Sequence, residues 1–175
     1  MPVRTFIVAV LLSALICPFA SAQAISTQTS TEGRATRIVL LHTAETFVKA
    51  INAGNAPTAL KLIGLPLMYR NQEWKDADVG EGYVLGAAHD LVFGDEKSAA
   101  TFMNKLMRRV RVESRKAEMD GPSKSAMLIN YLAGAPTSWR DLELFFFVRG
   151  TGDVEHVVLI GVDSASGRVR GVYTN

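Results

Sequence analysis

Apolar and polar residues alternate through the C-terminal third of the chain. Residues 142–174 contain three β-rich runs, LELFFFVRG, HVVLIGV and RVRGVYT, which are separated by the turn-like segments TGDVE and DSASG. Short alternating runs joined by turns rich in Gly, Asp and Ser are typical of antiparallel strands that follow one another. We therefore predict a meander of three antiparallel strands at this end of the chain.

The first two of these strands are apolar on both faces. In the first run, Leu144 and Phe146 alternate with Phe145 and Phe147, and HVVLIGV is equally apolar on both sides. A sheet with one face in water alternates apolar with polar residues instead, so both faces here need cover. Helices of the same chain are expected to cover one face. We predict that a second copy covers the other face in a homodimer, with a bound apolar ligand as the alternative.

The third run differs from the first two. Val169 and Tyr173 alternate with Arg168 and Arg170, so one face of this strand carries charge. The pattern predicts a strand with one wet side, or a strand at the edge of the sheet.

Helical periodicity precedes the meander. Apolar residues spaced by three and four predict a first helix from near Thr36 to Gly54, and a shorter one follows Pro57. Asp95 is a predicted N-cap, and the helix that it begins has an apolar face formed by Ala99, Phe102, Met103, Leu106 and Val110. The fold class that follows is α+β.

The segments between these helices are shorter and less regular. Leu67 to Trp74 is a predicted strand, and the glycine-rich, acidic segment from Lys75 to Gly86 is a predicted loop or irregular strand. Residues 110–119 alternate enough for a strand. Residues 127–132 fit a helix or a strand, and we favour a helix.

The N-terminus has the pattern of a secretory signal peptide. Arg4 precedes an uncharged run from Phe6 to Phe19, and Ala20-Ser21-Ala22 resembles a cleavage site. The apolar run is shorter than the roughly 20 residues that span a bilayer, which argues against the alternative of a membrane anchor. We predict a signal peptide over residues 1–22, a flexible lead-in rich in Ser, Thr and Gln over residues 23–35, and one domain over residues 36–175. The mature protein would be periplasmic or secreted, with no stable membrane span.

Composition excludes several classes of partner. Removal of Arg4 changes 19 Lys+Arg to 18, against 17 Asp+Glu, so the mature chain is close to neutral. We therefore expect no nucleic-acid partner. The single cysteine, Cys17, lies in the signal segment, so disulfides do not hold the fold. The histidines lack metal-ligand spacing and no cofactor motif occurs, so we predict neither a metal nor a cofactor.

The order of elements and two segments resemble the nuclear transport factor 2-like superfamily. FVKAINAGNAPTALKLI is similar to its junction between the first two helices, with Asn55 where Asp is usual, and HVVLIGVDSASGRVRGVY is similar to its last two strands. The resemblance covers about residues 36–174. It implies a cystatin-like cone, in which a strongly curved antiparallel sheet is wrapped around the N-terminal and central helices.

The resemblance leaves the function open, because that fold hosts isomerases, cyclases, dehydratases, transport factors and exported proteins without a known activity. Ketosteroid isomerases of the superfamily use a Tyr and two carboxylic acids inside the cone. Here the first helix carries His42 and no Tyr, and the last strands carry Phe where an acid is expected. The sequence does not support that particular chemistry.

Five residues are candidates for a pocket inside the cone. A His beside an Asp is a candidate oriented base, but neighbours on a strand point to opposite faces, so His89 and Asp90 are not expected to touch. A histidine at a loop or core edge is the commoner explanation. With Tyr69, Phe145 and Phe147 they form the predicted lining, and we assign no catalytic residue.

Two functions follow from these patterns. The favoured one is an exported, non-catalytic domain that binds a small apolar ligand or a protein partner, because the strands that would line the cone carry almost no acids. The alternative is a cofactor-independent enzyme of the isomerase, cyclase or dehydratase type. Convergence of Tyr69 with His89 or Asp90 in the cavity would favour the enzyme, whereas a lining of Phe, Leu and Val would favour the binding domain.

Overall fold

A computed structural model describes residues 20–78, 80, 82–112, 131–150 and 156–175, with side chains described from residue 36 onward. The chain divides into two compact units, Met1–Arg34 and Ala35–Asn175, and both sheets belong to the second. Residues 1–19 lie outside the described part, so export and cleavage after Ala22 stay predictions. In the part of the chain that the structure describes, no helix is both long enough and apolar enough to cross a membrane.

In the described residues, three complete α-helices lie before the meander: α1 (Ala20–Asn52), α2 (Ala56–Leu62) and α3 (Glu96–Arg109). The periodic segments predicted as helices are therefore helical, although α1 begins earlier than Thr36 and includes residues 23–35. Whether that segment is flexible stays a prediction. Asp95 caps α3 as predicted, since its carboxylate accepts a hydrogen bond of 2.9 Å from the Ser98 amide.

Within the described part of the chain, seven strands form two sheets. The larger sheet has the order β4-β1-β7-β6-β5, and the smaller pairs β2 with β3. The strands are β1 (Ile63–Asn71), β2 (Trp74–Asp76), β3 (Tyr83–Leu85), β4 (His89–Phe93), β5 (Leu142–Gly150), β6 (His156–Asp163) and β7 (Val169–Thr174). The predicted meander is confirmed as β5-β6-β7, and the chain is an α+β protein with three helices and a five-stranded sheet.

The large sheet is mixed rather than antiparallel. Strand β1 pairs antiparallel with β4 but parallel with β7, where Tyr69 lies beside Val172 and Asn71 beside Thr174. Turn signals predict only pairs of consecutive strands, whereas α3 and the first two strands of the meander lie between β1 and β7 along the chain. The sequence therefore gave no sign of this pair.

The prediction of an edge position for the third run is wrong, because β7 lies between β1 and β6. Its arginines have partners that the alternation does not reveal. Arg168 donates to the backbone oxygen of Ile63 at 3.2 Å, and Arg170 to that of Pro66 at 3.5 Å. The guanidinium groups thus bind the neighbouring strand while their stems lie along the sheet.

The bounds of the other strands differ from the sequence patterns. The segment from Lys75 to Gly86, predicted as a loop or an irregular strand, contains parts of the β2–β3 pair, and no bounds were predicted for β4 around His89 and Asp90. Strand β1 begins at Ile63 rather than Leu67. Residues 113–130, which include most of the predicted segments 110–119 and 127–132, lie outside the described residues.

Apolar side chains form one cluster on each face of the large sheet. The cluster on the helix side includes Phe47, Ile51 and Met103 together with β-strand residues, and all three side chains are almost completely buried. The opposite cluster contains Met68, Tyr131, Trp139, Leu142, Phe146, Val157, Leu159 and Tyr173.

The second cluster changes the case for a homodimer. Tyr131 and Trp139 come from the segment before β5, and they cover much of the face that we expected the chain to leave open. Phe146 is only 8% exposed on that face, while Leu144 is half-buried. The expectation that the chain is too short to cover both faces does not hold at the centre of the sheet. Dimerisation itself stays a prediction.

Candidate functional site

A cavity of about 580 Å³ lies between α3 and one end of the large sheet. Each of the five strands contributes a polar residue to it: Asn71 from β1, His89 from β4, Arg149 from β5, His156 from β6 and Thr174 from β7. We call these five residues the polar row. They come from segments far apart in the sequence, and the sheet topology alone brings them together.

Strand alternation explains why the polar row faces the helices. Side chains two residues apart on a strand point to the same face. Asn71, His89, His156 and Thr174 therefore share a face with Tyr69, Leu91, Val158 and Val172, of which the last two are completely buried, while Arg149 lies at a bulge between Val148 and Gly150. The interior face of the sheet is thus apolar along its middle and becomes polar at this one end.

The wall opposite the sheet comes from the C-terminal half of α3. Phe102, Leu106 and Val110 are its apolar members, and Lys105 and Arg109 lie beside them. The Phe102 ring contacts two sheet residues, with centroids 4.5 Å from Phe93 and 4.6 Å from Tyr69. Positions 102, 106 and 109 fall on one side of a helix, so one face of two successive helical turns supplies both apolar surface and positive charge.

A second, more open cavity of about 520 Å³ adjoins the first. Leu91, Phe102 and Lys105 line both. Leu91 is 51% exposed although it belongs to the interior face, because β4 is an edge strand. The apolar surface of the site therefore continues beyond the main cavity.

The neutral polar groups of the cavity are bonded to one another. The hydroxyl groups of Tyr69 and Thr174 are 2.8 Å apart, and Thr174 donates to the amide oxygen of Asn71 at 2.8 Å. The Tyr69 hydroxyl also lies 3.3 Å from that amide oxygen. Thr174 is 1% exposed, so this network satisfies polar groups that would otherwise be buried at a cost.

Positive charge exceeds negative charge around the cavity. Lys105, Arg109 and Arg149 line it, and Glu73 is the one carboxylate side chain among its described lining residues. Within the described part of the chain, neither Lys105 nor Arg109 forms an ion pair, and Arg149 donates to the backbone oxygen of Asn175. A cleft lined by charges of one sign concentrates ligands of the opposite sign.

Two of the predicted pocket residues, Tyr69 and His89, do line this cavity, but Asp90 does not. Its carboxylate accepts a hydrogen bond of 2.7 Å from Arg70, which is itself 2% exposed. Arg70 also donates to the backbone oxygens of Tyr131 and Ala133, at 3.2 and 2.5 Å. Asp90 therefore helps to hold the segment that covers the opposite face of the sheet. The alternation of neighbouring residues along β4 separates it from His89.

Phe145 and Phe147 belong to the core rather than to the lining of the described cavities. Both are completely buried in the cluster on the helix side, which also contains Phe47 and Met103. The sequence placed both residues on the same face of the sheet, and both do belong to this one cluster. The helices cover them, and the cavity begins nearer the end of the strand, at Arg149.

Most of the polar lining was missed in the sequence. Neither His156 nor Arg109 is among the residues that the sequence predicts to line a pocket. The available signal was a polar residue in the apolar phase of a strand, as at Asn71, Arg149 and Thr174. That signal is weak for any one strand, and it becomes informative only when the strand order is known.

The site offers hydrogen bonding and positive charge but little acid–base machinery. His89 and His156 are the candidate bases, yet in the described residues no hydrogen bond to a carboxylate orients either imidazole. Among the described residues, no three His, Cys, Asp or Glu side chains are grouped so that they could hold a metal ion. The absence of a metal or cofactor requirement stays a prediction.

Comparison with known proteins assigns no family. No protein-family model matches the chain, and a search of curated proteins gives no match either. The function must therefore be argued from the cavity itself.

Proposed function

We propose that this chain is an exported, non-catalytic domain that binds a small, largely apolar ligand between α3 and the polar row. One observation carries the proposal: an aromatic and aliphatic wall, with Phe102 at its centre, faces a single row of polar side chains across a cavity of about 580 Å³. Pockets for small molecules typically measure about 300–1,000 Å³ and combine apolar walls with a few polar groups that orient the ligand.

The proposal includes the fold family. A cone of the nuclear transport factor 2-like kind, with a strongly curved sheet wrapped around the helices, would enclose a ligand in this position. The order of helices and strands and the cavity between α3 and the sheet support it. A crystal structure with a flat sheet and no enclosed space beside Phe102 would contradict it.

Binding is tested with the neutral apolar dye N-phenyl-1-naphthylamine, whose fluorescence rises in apolar surroundings. Leu91 lines the cavity and is half exposed, so Leu91→Trp should fill space there without overpacking the core. Val92→Trp is the matched control, because Val92 is 63% exposed and points to the opposite face of the same strand.

We expect the unmodified protein to bind the dye and Leu91→Trp to weaken binding by at least about tenfold, with Val92→Trp unchanged. Binding should be measured by calorimetric titration, because the indole of an introduced Trp would interfere with the fluorescence of the dye. The proposal fails if the unmodified protein does not bind the dye, or if both variants bind it equally well.

The exported location has its own test. Mass spectrometry of mature protein from the periplasm or medium should find Gln23 at the N-terminus. Recovery of mature protein that retains Met1 would contradict the predicted cleavage after Ala22.

A homodimer, or another protein partner on the second sheet face, is a separate proposal. Leu144 and Val148 remain half-buried on that face, beside the cover that Trp139 provides. Light scattering at high micromolar concentration should show a dimer, and Leu144→Glu should yield a soluble monomer. A monomeric unmodified protein would show that the chain covers this face by itself.

A second function, proton transfer by a cofactor-independent isomerase or cyclase, is favoured by one observation. Tyr69 and His89 line the same cavity, together with His156. In such an enzyme an imidazole would remove a proton next to a carbonyl group, and the Tyr69 hydroxyl would donate to the developing oxyanion. Binding remains the preferred function because no carboxylate orients either histidine in the described structure.

Deuterium exchange tests the enzyme hypothesis. Small β,γ-unsaturated ketones would be incubated with the protein in D₂O, and incorporation followed by NMR. Enzymatic exchange that His89→Gln or His156→Gln abolishes would establish proton transfer. Exchange at the rate of the buffer alone would leave the binding function.

A further inference from the structure

We infer that the ligand of this cavity carries an anionic head-group on an apolar body, as an amphipathic carboxylate or phosphate ester does. This inference rests on the proposed function and narrows it to a chemical class. It follows from which polar groups of the cavity already have partners and which do not.

The neutral polar groups are already paired. Tyr69, Thr174 and Asn71 bond to one another through distances of 2.8–3.3 Å. A neutral alcohol or ketone could form hydrogen bonds to these residues only by breaking the bonds between them, so binding such a group brings little net stabilisation. These three residues therefore give the site little selectivity for a neutral polar head.

The cations are not paired in the same way. In the described structure Lys105 and Arg109 have no carboxylate partner. Arg149 is half-buried beside the same cavity, and its one described hydrogen bond, to the backbone oxygen of Asn175, uses one of five N–H donors. Of the three cations only Arg149 is partly buried, while Lys105 and Arg109 are exposed, and an anionic ligand head between them would bring a counter-charge to all three.

The end of a helix does not account for this charge. Basic residues in the last turn of α3 complement its dipole, which explains Arg108 and Arg109. Lys105 lies before that turn, and Arg149 comes from β5, on the other side of the cavity. Convergence of cations from two distant segments on one cavity indicates a binding role.

The arrangement also gives the ligand a direction. Phe102, Leu106 and Val110 supply apolar surface, and Lys105 and Arg109 project from the same helix beside them. An acyl or ring body would lie against the aromatic wall, and its anionic end would lie between α3 and Arg149. His89 and His156 also line the cavity, and their ring N–H groups would donate to the same anion.

The test compares three ligands of equal chain length, dodecanoic acid, dodecyl phosphate and dodecanol, as competitors for bound N-phenyl-1-naphthylamine. At low salt, the carboxylate or the phosphate should displace the dye at a concentration at least about tenfold lower than dodecanol. Which anion is stronger identifies the head-group. The advantage should shrink as salt rises from about 0.1 to about 1 M, because the Debye length falls from about 10 to about 3 Å.

Matched variants locate the effect. The double variant Lys105→Gln/Arg109→Gln should lose about tenfold in affinity for the anions and none for dodecanol or the dye. The double variant Arg108→Gln/Arg111→Gln is the control, because it also removes two positive charges from exposed residues near the end of α3, but neither residue lines the cavity.

The outcomes separate the two levels of the proposal. Failure of the dye to bind refutes the proposed function together with this inference. If the dye binds but the two anions and dodecanol displace it at equal concentrations, the inference of an anionic head-group is refuted and the proposed function stands. A double variant that keeps the full preference for anions also overturns it, because the preference would then arise elsewhere.

Discussion

Two glycines allow the second cluster to pack directly on the sheet, and this contact can be tested by adding one methyl group. Gly161 of β6 lies opposite Gly171 of β7. A Cβ atom at Gly171 would lie 2.8 Å from Cζ3 of Trp139 and 2.8 Å from Cδ1 of Leu142. Contacts this short require the neighbours to move. Trp139 is 2% exposed, so its ring has little room to do so.

The expected cost of Gly171→Ala follows from two opposing effects. Overpacking a close-packed site costs about 1–3 kcal/mol. Replacing Gly by Ala also restricts the unfolded chain, which returns about 0.4–1 kcal/mol where the native backbone suits Ala. We expect a net loss of about 1–2 kcal/mol in the free energy of unfolding, and a fall in Tm of about 2–8 °C for a chain of this size.

Urea titration of the free energy of unfolding is the assay, and Gly94→Ala is the matched control. Gly94 is exposed, and an added Cβ there meets nothing within 4 Å. Its substitution should change stability by less than about 0.5 kcal/mol. The double variant Gly171→Ala/Trp139→Leu should be more stable than the sum of the two single losses predicts, because the smaller side chain makes room for the methyl group. Equal, small losses in Gly171→Ala and Gly94→Ala would refute the described contact between Trp139 and the sheet.

Three further predictions concern side-chain partners. Asp90→Asn should lower the free energy of unfolding by about 1–3 kcal/mol in urea titration, because it leaves the buried Arg70 without its counter-charge. Asp78→Asn breaks an exposed ion pair, so it should lower the free energy of unfolding by less than about 0.5 kcal/mol. Equal losses in the two variants would contradict the ion pair between Arg70 and Asp90. Phe102→Ala should lower the free energy of unfolding by about 1–3 kcal/mol, because Phe102 is only half-buried between two aromatic rings. A fully buried Phe typically loses about 3–5 kcal/mol on the same change. A loss above about 4 kcal/mol would contradict the half-buried position of Phe102 beside an open cavity. Hydrogen bonds from the Ser98 amide, and then from the Ser98 hydroxyl, lower the pKa of Asp95 below 3.8, so the charge of Asp95 stabilises the fold above that pH and this stabilisation is lost as pH falls through the lowered pKa. The difference in free energy of unfolding between the unmodified protein and Asp95→Asn should therefore shrink as the solution is acidified across this range. A difference that does not change with pH would contradict the prediction.

Local patterns were sufficient for the helices and the meander. The spacing of Phe102, Met103 and Leu106 and the cap at Asp95 are properties of one short segment, and the structure contains that helix as predicted. The same is true of the LELFFFV and HVVLIGV strands. These elements are encoded by periodicity and turn chemistry within about 15 residues.

The errors arose where distant segments meet. The position of β7 depends on β1, and the roles of Arg168 and Arg170 depend on backbone oxygens about 105 residues away. The cover that Tyr131 and Trp139 provide depends on Arg70, which no local pattern connects to them. The polar row likewise joins residues from five strands. Pairing order decides such features, and a single sequence does not display it.

The central position of β7 also constrains the order of folding. Its partner β1 lies about 100 residues earlier, and the Tyr69–Thr174 contact spans 105 residues. Until residue 174 is free to fold, β7 cannot link the β1–β4 pair to the β5–β6 hairpin. During that time the β1–β4 pair exposes β1 as an unpaired edge, and the hairpin exposes β6. Contacts of such long range slow folding and lengthen the time during which these edges are open to aggregation. Synthesis of this chain therefore passes through a stage at which a chaperone that shields β1 would have its greatest effect.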